Sequence, residues 1–149
     1  RYDGCYEEGN RMMFSAVPKQ VLDVVWEDVK KVLEPAVKTA KGKLSISDVY
    51  DYVKKGVYEL WVVMEETKIV AVITTRVIEY PERRALAMDF IGGSKMKEWL
   101  PEAQRTLESF AKDNNCSHLE GYGRKAWRRW LDKYGWEPDY IAYRMELNG

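Results

Sequence analysis

The stretch 84–134 constrains the fold more strongly than any other part of the chain. It alternates strand and helix patterns, in the order strand 84–91, helix 95–114, strand 118–122 and helix 125–134. In a unit of this kind the first strand leads to a helix N-terminus, where free N–H groups and the positive end of the helix dipole favour an anionic ligand. The sequence therefore predicts a functional site at this strand–helix junction, which carries Gly92 and Gly93.

The composition predicts one domain with no strong overall electrostatic field. The 149 residues are 46% hydrophobic, which is enough for a single sizeable core. We assign residues 1–10 to an N-terminal arm, because they show no periodicity, and residues 11–149 to the domain. Lys plus Arg and Asp plus Glu number 24 each, so nucleic acid is an unlikely partner and any anion must be bound locally.

Cysteine usage and hydropathy indicate which cellular location to expect. Cys5 and Cys116 have neither metal-ligand spacing nor the density of a disulfide framework. No apolar run reaches the roughly 18–20 residues that span a bilayer, and no signal-peptide pattern opens the sequence. We therefore expect no metal, no membrane association and a reduced, cytoplasmic location.

Periodicity predicts a strand, a group of helices and a three-stranded meander ahead of the central stretch. The first strand covers 11–17, and Pro18 begins a helix whose apolar residues recur at three- and four-residue spacing. We expect Pro35 to end that helix and open a short second one, and Ser47 to cap a third. β-Branched and aromatic runs predict antiparallel strands at 58–65, 69–77 and 85–91.

The remaining patterns complete the predicted fold class. Helix 95–114 places Leu100 and Leu107 on one face, and it either kinks at Pro101 or begins there. The segment 140–147 (YIAYRMEL) predicts a closing strand. The predicted order is β-αα-βββ-α-β-α-β, an α/β (α+β) fold with a mixed, mostly antiparallel sheet flanked by helices.

This order of elements resembles the GNAT superfamily of acyl-CoA-dependent N-acyltransferases over residues 11–147. The segment KAWRRWLDKYGWEP is similar to the family's closing motif, Leu/Phe-Tyr-Glu-Lys-x-Gly-Phe/Trp, which falls on residues 130–136. The resemblance implies an N-acetyltransferase that uses acetyl-CoA and an amine acceptor. It also implies that strands 85–91 and 118–122 splay apart and leave a gap for the pantetheine arm.

The resemblance places the pyrophosphate of acetyl-CoA at the glycine pair. The family's loop usually reads Arg/Gln-x-x-Gly-x-Gly/Ala, whereas this chain reads FIGGSKMK at 90–97, without the basic residue or the third small residue. In the binding hypothesis, backbone amides and the Lys95 and Lys97 ammonium groups hold the anion; the alternative is an ordinary turn. The candidate cofactor-binding residues are Ile91, Gly92, Gly93, Ser94, Lys95 and Arg124.

The catalytic candidates lie on the strands that border the expected gap. Many family members protonate the leaving thiolate with a tyrosine, but Leu131 occupies that position here, so Tyr122 or water is the candidate acid. The candidate bases are the strand carboxylates Asp89, Glu120 and Glu79. Asp89 interrupts an apolar run, so it either forms an ion pair or functions in catalysis. For Tyr122 and for the lone histidine, His118, the alternative to a catalytic role is a purely structural one.

A basic cluster accompanies the last helical pattern. One interpretation is a solvated face above a buried aromatic stripe; the other is a rim that binds the CoA 3′-phosphate or an acidic protein. The cluster consists of Arg124, Lys125, Arg128, Arg129 and Lys133, interleaved with Trp127 and Trp130.

One further likeness supports a non-enzymatic alternative. The combination of EWLP at 98–101, Cys116, EGYGRKAWRRWL and YGW resembles GNAT-like proteins of tailed bacteriophages, some of which are virion proteins. That resemblance implies a fold retained as a binding module. Two hypotheses therefore stand: an acyl-CoA N-acyltransferase, and a catalytically inactive phage structural or protein-binding module that uses residues 124–133.

Overall fold

The computed structural model describes residues 4–5, 12–123 and 127–147. The strands in these residues are β1 Gly4–Cys5, β2 Met12–Val17, β3 Glu59–Glu65, β4 Lys68–Glu79, β5 Arg84–Gly93 and β6 His118–Gly121. The helices are α1 Leu22–Lys38, α2 Ile46–Lys54, α3 Met96–Asp113 and α4 Arg128–Leu131. Single 3-10 turns, Lys19–Val21 and Asp132–Tyr134, precede α1 and follow α4.

The strands form one sheet in sequence order, from β1 to β6. Every neighbouring pair is antiparallel except β5 and β6, which run parallel. The predicted hairpin and meander are confirmed, and Gly4 and Cys5 of the predicted N-terminal arm pair with β2. The parallel pair follows from chain connectivity, because α3 carries the chain back across the sheet before β6 begins.

Helices cover both faces of the sheet, so the central strands are buried on both sides. Successive residues of β3 alternate between the two layers: Leu60 and Val62 face α1 and α2, whereas Trp61 and Val63 face α3. The helical residues on the first side are Leu22, Val29, Leu33, Val37, Val49 and Val53. Those on the second side are Trp99, Leu100, Ala103, Leu107 and Ala111.

Two helix boundaries differ from the sequence prediction. Pro35 does not end α1, which continues to Lys38 with Val37 buried against the sheet. The missing N–H of a proline removes one bond of the last turn, and burial of this face outweighs that loss. The cap of α2 is Ser45 rather than Ser47, because Ser45 and Asp48 form a reciprocal capping box.

Pro101 also lies inside a continuous helix. Of the two alternatives predicted for it, a new helix start is wrong, because α3 runs without interruption from Met96 to Asp113. Pro101 lies in the second turn, where only one helical hydrogen bond is lost. None of the helices in the described part of the chain is long and apolar enough to cross a lipid bilayer.

The predicted closing strand is wrong. Residues 140–147 join no sheet in the described part of the chain, and their apolar side chains are exposed. The last helix is also shorter than expected, since α4 covers only Arg128–Leu131 before the 3-10 turn. The fold class is otherwise confirmed: a mixed, mostly antiparallel sheet lies between helices.

Candidate active site

β6 pairs with β5 along all four of its residues and ends before β5 does. They pair from Ala85 and His118 to Met88 and Gly121, and the Tyr122 N–H then donates to the Met88 carbonyl at 3.4 Å. β5 continues along β4 as far as Gly93, beyond any pairing with β6 in the described residues. Among the described residues, the edge of β5 beyond Met88 therefore has no strand beside it, and we call the space along this edge the gap.

A β-bulge lies where the strands separate. In the β4–β5 ladder Thr74 pairs with Phe90 and Thr75 with Met88, so Asp89 is the extra residue. A bulge bends its strand and increases the local twist, so the course of β5 changes directly after its last pair with β6. The Thr74 hydroxyl accepts a hydrogen bond from the Phe90 N–H at 3.2 Å and so stabilises the bulge.

Asp89 forms an ion pair, which is one of the two roles expected for it. Its two carboxylate oxygens accept hydrogen bonds from the Arg76 guanidinium, and its side chain is only 10% exposed. Burial, followed by the nearby Asp89 charge, raises the pKa of Tyr58 above its ordinary value. Asp89 lies at the gap, but the Arg76 guanidinium already binds both of its carboxylate oxygens.

Glu120 is the acceptor at the centre of a hydrogen-bonded cluster. It accepts from the Tyr80 hydroxyl at 2.9 Å and from the Tyr122 hydroxyl at 3.2 Å, and its Oε1 lies 2.8 Å from His118 Nε2. The Ser117 hydroxyl lies 2.8 Å from His118 Nδ1 and orients the ring. Because a carboxylate only accepts hydrogen bonds, Nε2 carries the proton in this contact.

The same contacts set the ionisation of Glu120 and Tyr122. Burial acts to raise the pKa of Glu120, but the hydrogen bonds from His118, Tyr80 and Tyr122 outweigh it and hold this pKa below its ordinary value of 4.5. Burial and the neighbouring Glu120 charge raise the pKa of Tyr122 to about 12. At neutral pH the candidate site therefore contains an ionised carboxylate hydrogen-bonded to a protonated phenol, so one group can accept a proton and the other can donate one.

The glycine pair has a packing explanation. Gly92 and Gly93 are the last residues of β5, not a loop. A Cβ at Gly92 would lie 2.5 Å from the Val32 carbonyl oxygen, so this glycine allows α1 to approach the sheet. Gly93 has φ of 109°, and a Cβ there would lie 2.2 Å from the Val70 carbonyl oxygen.

Two of the predicted anion-binding groups already have protein partners. The Ser94 N–H donates to the Val70 carbonyl at 2.9 Å, so the prediction that this amide contacts a phosphate conflicts with the structure. The Lys95 ammonium contacts both oxygens of Glu65, at 2.8 and 2.9 Å. Lys95 has φ of 63° and precedes α3. Ile91 is half-buried against the α3 side of the core.

The groups that can receive an anion lie slightly further along the chain. The first N–H groups of α3, at Met96 and Lys97, have no acceptor within the helix. The Lys97 ammonium lies over the Trp130 ring, 5.1 Å from its centroid, and so stands at the same end of α3. The predicted anion-binding residues 91–95 lie before these N–H groups, because Gly92 and Gly93 belong to β5 and not to a loop.

The segment after α4 is fixed beside the gap. The Gln104 side chain donates to the Tyr134 carbonyl and accepts from Trp136 Nε1, both at 2.8 Å. The Trp136 ring packs on Gly121, where an added Cβ would lie 3.4 Å from it. Trp136 therefore packs between α3 and the end of β6.

The remaining site candidates lie elsewhere or outside the described residues. Arg124 and Lys125 are among the residues that the structure does not describe. Arg128, Arg129 and Lys133 are exposed above half-buried aromatic side chains, which matches a solvated basic face. Glu79 pairs with Arg84 at 2.8 Å. In the described residues, no group of three or more His, Cys, Asp or Glu side chains is arranged to hold a metal ion.

Two structural features were not predicted from the sequence, one beside the gap and one on the helical layer. Arg76 was not predicted as a site residue, although it is the one charged residue in the stretch 69–78 of β4. That stretch pairs with the strand of Asp89, and this pairing was a usable signal. A groove of about 380 Å³ between α1 and α2, whose lining includes Trp26 and Tyr50, lies apart from the gap. No motif in the sequence indicated it.

Comparison with solved structures shows that this architecture is GNAT-like. An aminoglycoside acetyltransferase from an uncultured soil metagenomic sample, solved with trehalose, is 14% identical with a TM-score of 0.66, over 95% of this chain and 100% of that one. An acetyltransferase of Trypanosoma brucei is 11% identical with a TM-score of 0.62, over 91% and 99%. An integron cassette protein of V. cholerae is 17% identical with a TM-score of 0.62, over 94% and 95%.

The sequence gives no comparable match. No family model matches it, and no curated protein sequence is similar enough to count as a relative. At these low identities the structural similarity establishes the fold and not the activity.

Proposed function

We propose that the protein is an acyl-CoA-dependent N-acyltransferase whose reaction takes place where β5 and β6 separate. The observation that carries this proposal is the end of pairing at Met88 and Gly121, directly beside Glu120 and Tyr122. The acetyl-CoA thioester supplies an activated acyl group when it is bound. Unpaired β5 backbone along one side of the gap offers peptide groups to an extended, amide-containing arm.

The N-terminus of α3 is the group that fits the pyrophosphate. It begins three residues after the end of β5 and presents N–H groups and the positive end of an 18-residue helix. Lys97 supplies a positive charge there. This assignment replaces the Ser94 amide and the Lys95 ammonium, which have partners in Val70 and Glu65.

Glu120 and Tyr122 divide the proton transfers. Glu120, held ionised by three donors, accepts the proton that the amine loses as it attacks the thioester carbonyl. Tyr122, protonated at neutral pH, gives its proton to the departing sulfur. His118 and Tyr80 hold Glu120 in position through hydrogen bonds. Asp89 is a structural partner of Arg76 rather than the base.

The acceptor is a primary amine. One structural neighbour is an aminoglycoside acetyltransferase solved with sisomicin, which makes polyamino sugars a reasonable first class of acceptor to test. Release of free thiol from acetyl-CoA should be followed with a panel of an aminoglycoside, a polyamine and a lysine-containing peptide. Amine-dependent thiol release supports the proposal, and its absence with all three, together with no acetyl-CoA binding, contradicts it.

A catalytically inactive protein-binding role is the second candidate. Trp136 packs on Gly121 at the end of β6, and the Ser94 amide is already bonded, which favours a site that no longer accepts a cofactor. In that role the exposed Arg128 and Arg129 bind an acidic protein surface, for example in a phage particle. No thermal shift at millimolar acetyl-CoA, combined with co-purification in a defined complex, would favour this candidate.

A further inference from the structure

The groove between α1 and α2 has the size of a small-molecule site. Its volume of about 380 Å³ lies at the lower end of the range for such sites. None of the residues that line it belongs to the gap or to the hydrogen-bonded cluster around Glu120. The groove is therefore a candidate site for a small ligand that takes no part in the proposed acyl transfer.

Two aromatic rings line this groove and approach each other at a steep angle. The ring centroids of Trp26 on α1 and Tyr50 on α2 lie 5.1 Å apart, with 66° between the ring planes. Rings arranged in this way can contact one ligand from two directions, as in the aromatic cages that bind quaternary ammonium groups. The Tyr50 ring already attracts one cation, because the Lys54 ammonium lies 5.8 Å from its centroid. The groove therefore offers aromatic surface that favours a positively charged group.

Hydrogen bonds fix the Tyr50 side of the groove. The Tyr50 hydroxyl donates to one carboxylate oxygen of Asp23, and the Lys54 ammonium donates to the other at 2.9 Å. These bonds, that of Tyr50 first, hold the pKa of Asp23 below its ordinary value, so this carboxylate is ionised at neutral pH. The ion pair between Asp23 and Lys54 adds no net charge to the groove. A ring that is already held in position loses little freedom when a ligand binds.

The other charged groups of the groove leave one negative charge unbalanced. They are the carboxylates of Glu27 and Asp51 and the ammonium of Lys30, which together carry two negative charges and one positive charge. Within the described ranges, neither Glu27 nor Asp51 forms an ion pair. A ligand with a single positive charge would therefore balance the groove, whereas an anion would be repelled.

We propose that this groove binds a small organic cation whose single charge is a methylated, quaternary ammonium group. The methyl groups of such a ligand contact the Trp26 and Tyr50 rings, and the Glu27 and Asp51 carboxylates supply the opposite charge. A quaternary nitrogen carries no N–H and cannot be N-acylated, so this ligand is not the acyl acceptor. The inference therefore goes beyond the proposed function, and either one can fail without the other.

The test is a titration of the isotope-labelled full chain with choline at low ionic strength, followed by amide NMR. Amide signals of 23–30 and 46–51 and the Trp26 indole N–H signal should shift and saturate. Half-saturation is expected on the order of 1–10 mM, because the ligand is small and the groove is open on one side. The neutral analogue of choline, in which a carbon atom replaces the nitrogen, has the same shape without the charge. It should bind at least about threefold more weakly.

Two variants of α1 test the two kinds of contact separately. Trp26→Leu keeps an apolar side chain but removes the ring, and Glu27→Gln keeps the size but removes the charge. Each should weaken choline binding at least about threefold, the effect of losing one exposed cation–π or ionic contact. Glu34→Gln makes the same change as Glu27→Gln on the same helix but outside the groove, so it should bind choline like the wild type.

Three results would overturn the proposal. The first is the absence of saturable shifts in α1 and α2 of the wild type, including a titration in which the shifts are confined to the Glu120 cluster. The second is equal binding of choline and its neutral analogue. The third is unchanged affinity in Glu27→Gln or in a folded Trp26→Leu variant.

Discussion

Met88 and Gly121 form the last residue pair between β5 and β6. The next residue of β5, Asp89, is the bulge residue, and the next residue after β6, Tyr122, donates a hydrogen bond to Glu120. The end of the ladder therefore coincides with the only cluster in the described residues where a carboxylate, a histidine and two tyrosines share hydrogen bonds. This coincidence connects the geometry of the sheet to the proposed chemistry.

Replacing the proposed base should reduce the rate more than the affinity. Glu120→Gln keeps the size and part of the hydrogen bonding but cannot accept a proton at neutral pH. General base catalysis typically contributes about 10²–10⁴-fold, so kcat for amine-dependent thiol release should fall within that range, with little change in acetyl-CoA binding. Glu79→Gln, a similar change at a more exposed carboxylate, is the control and should leave kcat nearly unchanged.

Glu120 should also make stability depend on pH. Its pKa in the folded protein lies below the ordinary value of 4.5. The resulting stabilisation is present above the ordinary pKa and is lost as the pH falls through the lowered pKa. The difference in the free energy of unfolding between the wild type and Glu120→Gln should therefore shrink as the pH falls below about 4.5. A difference that grows in acid, measured by urea titration, would contradict the assigned contacts.

Asp89 should behave as a structural residue. Asp89→Asn leaves the half-buried Arg76 guanidinium without its ionic partner, so we expect a loss of about 1–3 kcal/mol in the free energy of unfolding. The rate of acyl transfer, measured well below the unfolding temperature, should change less than about tenfold. A rate loss as large as that of Glu120→Gln, without loss of stability, would assign the base to Asp89 instead.

Gly92 should be intolerant of the smallest side chain. A Cβ there lies 2.5 Å from the Val32 carbonyl oxygen, so Gly92→Ala must displace α1 and should cost about 1–3 kcal/mol. Gly121→Ala is the matched control, because its Cβ meets the Trp136 ring at an ordinary 3.4 Å and alanine is otherwise favoured over glycine in a strand. Equal unfolding midpoints for both variants would show that α1 does not approach this closely.

Much of the fold could be predicted from the sequence because its signals are local. The β-branched runs of β3 and β4 and the short polar link between them suffice to indicate a hairpin, and the apolar spacing in α3 suffices to indicate a helix on a sheet. Pro35 was misinterpreted because tertiary burial of Val37 outweighs the local signal. The segment 140–147 has the period of a strand, but a period does not specify which strand it pairs with.

Part of the candidate site could also be predicted, because the order of the strands follows from local signals in the sequence. Strand order placed Asp89, Glu120 and Tyr122 near one another, and the structure brings them to the same gap. The roles of Gly92 and Gly93 depend on the approach of Val32 and Val70, which are distant in sequence. Likewise the Ser94 amide is bonded to a residue of another strand, a contact that no motif encodes.

The most direct test of the central claim is calorimetric titration of acetyl-CoA into the wild type, Lys97→Glu and Lys112→Glu. Lys97 stands at the N-terminus of α3 and Lys112 in its last turn, so the two variants make the same charge change at opposite ends of one helix. We predict that the wild type binds, that Lys97→Glu binds at least about tenfold more weakly, and that Lys112→Glu matches the wild type. Absence of binding by the wild type, or equal affinity in all three proteins, would contradict the account.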